Sequence, residues 1–134
     1  MSFTDPLSLE NGFNAANTYT RTSQDASGSK WLDTASTAAE PRTLEIRHQV
    51  VGKGKDAVDR HLLKISTTKL DTEQVPHLVT VNVTISLPRN TVVTSTNVIN
   101  NVANMMDLLS AGQLAPLITA LTTTNIDKLL RGEQ

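Results

Sequence analysis

Three histidines, His48, His61 and His77, are the side chains best suited to metal binding or proton transfer in this 134-residue chain. Their spacing serves neither. A zinc-type helix motif needs two histidines four apart beside a carboxylate, and no H-x-x-x-H or H-E-x-x-H run occurs. Each histidine falls on or at the start of a strand-like segment, so His48 and His61 read as partly buried strand residues and His77 as a solvated one. There is no cysteine, which removes thiolate nucleophiles, Cys-ligated metals and disulfides together. No serine sits in a G-x-S-x-G elbow. The run "GKGKD", residues 52–56, lacks the G-x-x-x-x-G-K-[ST] spacing of a phosphate loop and joins two strand-like segments, so it reads as a flexible turn with Lys53 and Lys55 in solvent. No catalytic residue, metal or cofactor is expected, and an enzyme is the least favoured class.

The remaining polar chemistry lies on alternating segments. In "RTLEIRHQV" Leu44, Ile46 and Val50 alternate against Thr43, Glu45, Arg47 and Gln49. "VDRHLLKISTTKL" sets Leu63 and Ile65 against Arg60, Lys64, Ser66 and Thr68, with Leu62 a blemish on the polar side. "HLVTVNVTISL" opposes Val79, Val81, Val83, Ile85 and Leu87 to Thr80, Asn82, Thr84 and Ser86. Period-two alternation marks half-buried strands, and short connections favour antiparallel neighbours. The three segments thus make a meander with one polar face. On that face Arg47, Arg60 and Lys64 can meet phosphates, while Ser66, Thr80, Asn82 and Thr84 can hydrogen-bond base edges or sugar hydroxyls of single-stranded RNA. A plain solvated face explains the same pattern, because antiparallel sheets commonly expose one side.

The apolar face needs a cover, and the segment after the last strand can supply it. In "TSTNVINNVANMMDLLSAG" Val98, Val102, Met105, Leu108 and Leu109 recur at helical spacing, Ser95 or Thr96 can cap the start, and Gly112 suits the end. Further helices are expected at "LAPLITAL" and, shorter, at "NIDKLL". Upstream, Asn11-Gly12 is a hairpin signal between "TDPLSLE" and "NTYTRTSQ". A short strand is expected around Trp31 and Leu32, ended by the loop "STAAEP". The whole reads as one α+β domain over residues 1–134, in three parts: a hairpin and short strand over 1–40, the meander over 42–88 and helices over 94–131. Helices packed on their own sheet and helices exchanged within a dimer bury the same stripe, so periodicity leaves both open.

Twelve basic and thirteen acidic residues give a net charge of −1, so any nucleic-acid face must come from local clustering. No segment has the apolar length of a membrane span, and "MSFTDPLSLENG" has neither a basic nor an apolar leader region. A soluble, unprocessed chain with no membrane partner is expected.

The order of hairpin, Trp-bearing strand, three-strand meander and C-terminal helices resembles the coat proteins of small single-stranded RNA bacteriophages, the levivirus type. The most specific local pieces are "SKWLDTAS" and "VNVTISLPRN" with the helix after it. The resemblance implies an interlocked homodimer with one continuous sheet, built into an icosahedral shell that encloses the RNA genome. It also implies an operator hairpin as a second RNA partner, hence translational repression, and assembly in the bacterial host cytoplasm into virions. Asn82 falls where the family places a base-contacting Asn, Lys64 where it places a lysine, and Arg47 on an inward-facing position. Thr80 stands where a base-stacking Tyr is usual, and no aromatic residue appears on this face, so stacking worth about 1–3 kcal/mol per base is missing. The loop Asp71, Thr72, Glu73, Gln74, Val75 and Pro76 matches the family's assembly loop around symmetry axes. Val75-Pro76 could give it two shapes, and Asp71 and Glu73 would repel across an axis unless cations or Lys69 offset them. The alternatives are a dimeric β-sheet RNA-binding protein that forms no shell, and a β-rich adhesin, which the missing leader and cysteines disfavour.

Overall fold

The computed structural model describes residues 3–10, 15–90, 92–109 and 130–132. Six strands form one antiparallel sheet in chain order: β1 (Leu7–Glu10), β2 (Ala16–Asp25), β3 (Gly28–Asp33), β4 (Arg42–Val51), β5 (Val58–Leu70) and β6 (Pro76–Pro88). Helix α1 (Ser95–Leu109) comes after β6. The expected N-terminal hairpin is β1 on β2, with Glu10 opposite Ala16; its proposed Asn11-Gly12 turn lies outside the described residues.

The meander forms as the alternation requires. Leu44 faces Ile65 and Ile65 faces Val81, while Ile46, Leu63 and Val83 make the next row. Because cross-strand partners share a face, every apolar member of β4, β5 and β6 in these rows lies on one side. The core closes at the other end of the sheet, where Phe3, Tyr19, Trp31, Leu44 and Ile46 form a buried cluster. Trp31 is fully buried and donates its indole N–H to Ser29 Oγ at 2.9 Å, which satisfies the ring's polar atom. The Arg21 guanidinium lies 4.5 Å from the Trp31 ring centroid, in cation–π contact, and donates to the Phe3 carbonyl, so β2 and the N-terminal segment are pinned over the indole. Gly28 at the start of β3 is required by proximity: a Cβ there would lie 2.1 Å from the Ile46 carbonyl oxygen.

Helix α1 departs from expectation at both its start and its placement. Thr94 is the cap: its backbone N–H and hydroxyl both donate to Asn97 Oδ1, and the Thr94 carbonyl accepts from Asn97 N–H. An Asn at the third helical position thereby replaces the usual Glu of a capping box, and neither Ser95 nor Thr96 is used in this way. Val98 and Ala103 are buried, but Met105 is 58 % exposed, so the predicted stripe is only partly covered. The helix meets the sheet at β6, where Val93, Val98 and Val102 share a groove with Val83 and Ile85. It leaves Val79 and Val81 bare at 64 % and 62 % exposure. Leu108 and Leu109 as side chains, Gly112, the helix at "LAPLITAL" and most of that at "NIDKLL" lie outside the described residues.

Candidate functional site

Three surfaces are organised by this register. The first is the polar face. Leu32, Thr43, Ser66 and Thr80 form one row, Lys30, Glu45, Lys64 and Asn82 the next, then Arg47, Leu62 and Thr84, then Gln49, Arg60 and Ser86. All the residues read from sequence as RNA-contacting (Arg47, Arg60, Lys64, Ser66, Thr80, Asn82 and Thr84) therefore share it. Leu62, half-buried, sits between Arg47 and Thr84.

The charges on this face are not equivalent. Arg47 donates to Glu45 at 2.8 Å, to Asp25 at 3.0 Å and to Ser27 Oγ at 2.8 Å. The Glu45 hydrogen bond, more than the Asp25 pairing, holds its pKa above the ordinary arginine value. Asp25, tied by the Ser27 hydroxyl and N–H and then by Arg47, is held down to about 2. The guanidinium is thus engaged in fastening the β2–β3 turn to β4. Among the described residues Lys30, Arg60 and Lys64 make no ion pair. Lys30 was missed from sequence, although its place beside Trp31 in "GSKWLD" forces it onto the face opposite the buried indole. No aromatic ring of the described residues reaches this face, since Tyr19 and Trp31 are buried on the other side.

The second surface is the loop Asp71–Val75, with Pro76 already in β6 opposite Leu70. Asp71 organises it. Its carboxylate accepts from the N–H groups of Glu73 and Val75 and from His77 Nε2, each at 2.9 Å, and its pKa is lowered chiefly by the His77 bond and then by the Val75 N–H. Gln74 takes a left-handed backbone, φ 63°. Within the chain Lys69 pairs with Glu40 at 2.7 Å. The cis peptide bond among the described residues is Asp5–Pro6, not Val75–Pro76.

The third surface is the apolar face. Leu44, Ile46, Leu63, Ile65, Val81 and Val83 line an open trough of about 300 Å³ that Val102 closes on one side. β6, the edge strand, carries its most exposed residues. Among the described residues no group of three or more His, Asp or Glu side chains could hold a metal ion, and no helix is long and apolar enough to cross a membrane.

A sequential antiparallel sheet with a helix after its edge strand is the coat-protein fold of levi-like phages. The virus-like particle of Beihai levi-like virus 21 superposes with a TM-score of 0.61 at 14 % identity, covering 90 % of this chain and 94 % of that one. The virus-like particle of bacteriophage NT-214 gives 0.55 at 16 % identity over 89 % and 95 %, and the bacteriophage EMS014 coat protein 0.53 at 22 % over 81 % and 72 %. At these identities the likeness is one of fold. No curated protein matches the chain. The sequence pattern of the family described as "Phage phiCb5, coat protein" matches residues 4–101, and the chain belongs to that family. It is a phage coat protein, with a structural role.

Proposed function

We propose that this coat protein assembles through homodimers into an icosahedral shell that encloses single-stranded RNA, with β6 of two copies joined edge to edge and the helical region of each covering the apolar face of the other. The observation that carries this is the bare apolar face at the sheet edge: Ile65, Val79, Val81 and Val83 are between 36 % and 64 % exposed. Covering a half-exposed valine contributes about 1–2 kcal/mol, and an unpaired edge strand of 13 residues is a template for pairing. Structures of the same fold that come from virus-like particles support the same reading.

The polar faces of the two joined sheets then make one floor toward the shell interior. Lys30, Arg60 and Lys64 are the phosphate contacts, Ser66, Thr80, Asn82 and Thr84 supply hydrogen bonds near the seam, and Arg47 shapes the floor. With no aromatic ring of the described residues on this floor, binding rests on phosphate attraction and hydrogen bonding, so genome packaging is favoured over recognition of an operator hairpin by stacking. The loop Asp71–Val75 meets its copies around the symmetry axes. Shells form in the bacterial cytoplasm and leave as virions.

Protein expressed alone in bacteria and treated with nuclease tests the reading. Nuclease-resistant RNA co-sedimenting with large particles is expected. Dimers that bind RNA but leave it open to digestion would replace the shell with a free RNA-binding dimer.

A further inference from the structure

One carboxylate on the polar face stands between two cations without pairing to either. In the row Lys30, Glu45, Lys64 and Asn82, Glu45 on β4 has Lys30 of β3 on one side and Lys64 of β5 on the other. Residues directly opposed on neighbouring strands bring their Cβ atoms to about 5 Å, within easy reach of a lysine side chain. Neither lysine closes on it. Among the described residues the ion pair of Glu45 is with Arg47, two positions along its own strand, whose Nε donates to Glu45 Oε1 at 2.8 Å. The two lysines and the carboxylate instead border a cavity of about 390 Å³, with Leu32, Thr43 and Ser66 also in its walls.

We propose that this cavity receives one base of a single-stranded RNA and that Glu45 selects guanine there, an assignment that rests on the polar face being the RNA-contacting floor. Lys30 and Lys64 attract a polyanion, whereas a carboxylate set between them repels it. Simple phosphate attraction is therefore weakened by Glu45. Its contribution turns favourable where it meets a base edge made of donors, because hydrogen bonds to an ionised acceptor are the stronger kind.

The four bases differ in what they offer such a group. Single-stranded RNA exposes its Watson–Crick edges to protein, and an ionised carboxylate only accepts. Guanine carries two adjacent donors on that edge, N1–H and the N2 amine, which match the two oxygens of one carboxylate. Adenine and cytosine present one amino donor beside an acceptor ring nitrogen, and uracil presents N3–H between two carbonyl oxygens. Each of these sets an acceptor against the carboxylate. Glu45 has the capacity required: Oε2 has no hydrogen bond among the described residues, and Oε1 takes Arg47 alone, out of about four acceptor positions on the group.

The rest of the cavity suits the rest of a nucleotide. Lys30 and Lys64 stand on either side for the flanking phosphates, and Leu32, 37 % exposed, offers an apolar surface to the plane of the base. Thr43 and Ser66, one row along, bring hydroxyls that can donate or accept, and Ser66 Oγ lies 3.4 Å from Thr80 Oγ1 on β6. Arg47 is the positioning residue. Its bonds to Asp25 and Ser27 fasten it to the β2–β3 turn, so the carboxylate it holds is set in place before a base arrives, which lowers the ordering cost of binding.

Fluorescence anisotropy of short oligouridylates titrated with the purified full chain, dissociated from any shell, tests this. The central nucleotide is uridine, adenosine, cytidine, guanosine or inosine, the last being guanosine without its N2 amine. The guanosine form should bind about tenfold more tightly than the uridine, adenosine and cytidine forms, the low end of what one bidentate base contact discriminates, and inosine should lose most of that gain. In Glu45→Gln, which keeps an oxygen acceptor for Arg47 but not a pair of acceptors for the base, the preference should disappear. Lys64→Gln should weaken every form alike and leave the preference intact. The inosine comparison needs no substitution, so it decides the matter even where a variant fails to fold. Equal, salt-dependent binding of every form, a preference that inosine shares in full, or one that survives Glu45→Gln would overturn guanine selection and leave the RNA-contacting floor standing. Absence of salt-dependent binding to any form would overturn the floor, and the selection with it.

Discussion

Replacing Lys30, Arg60 and Lys64 by glutamine removes every cation of the polar face that lacks an ion pair among the described residues, without touching the buried cluster. Across two joined sheets these are about six charges, and each phosphate neutralised on a single strand adds roughly −0.7 to the slope of log K against log salt, so the dimer should show a slope near −4. Between about 50 and 200 mM salt that is a loss of about 300-fold in affinity. Fluorescence anisotropy of a single-stranded RNA oligonucleotide titrated with dissociated dimers would measure it. The triple variant should have a slope close to zero, and Lys64→Gln alone should lower its magnitude by about 1.4, since two copies are lost. Arg47→Gln should leave the slope nearly unchanged and instead loosen the turn that Asp25 and Ser27 fasten to β4. An unchanged slope in the triple variant, or an Arg47→Gln slope as small as the triple variant's, would refute the division of labour between these cations.

Other surfaces carry their own outcomes. Val81→Asp places a charge on the apolar face, where burial against a partner would cost several kcal/mol; the chain should remain folded by circular dichroism but run as a monomer by light scattering. Gly28→Ala forces a methyl group against the Ile46 carbonyl and should destabilise the chain by about 1–3 kcal/mol, read as a lowered midpoint in urea. The lowered pKa of Asp71 means its loop is held above the ordinary carboxylate value, about 3.9, and freed as pH falls through the lower folded value. Amide exchange at Glu73 and Val75 should take that course, whereas Asp71→Ala should exchange rapidly at every pH.

The meander was legible because β4, β5 and β6 alternate with period two over long runs, and a slip of one residue would invert every side chain. That same rule put Arg47, Arg60, Lys64 and Asn82 on one face correctly. It could not tell that Arg47 is bound by Asp25 and Ser27, residues about twenty positions upstream, because only the pairing of Gly28 with Arg47 brings that turn alongside. Lys30 escaped notice for the same reason: its face is set by the buried Trp31, not by a long alternation. Of the helix stripe, Val98 and Val102 were readable, but where the helix would lie was not, since periodicity records which face is apolar and not what covers it. The contact of His48 with His61, their Nδ1 atoms 2.9 Å apart, likewise depends on β4–β5 register, to which metal-ligand spacing is blind.

In the proposed function the bare apolar face and the edge strand serve a shell built from dimers. Electron microscopy of the protein expressed alone in bacteria tests it most directly. Uniform closed spheres, absent from the Val81→Asp variant, are predicted; discrete particles no larger than a dimer, under conditions that permit assembly, would contradict it.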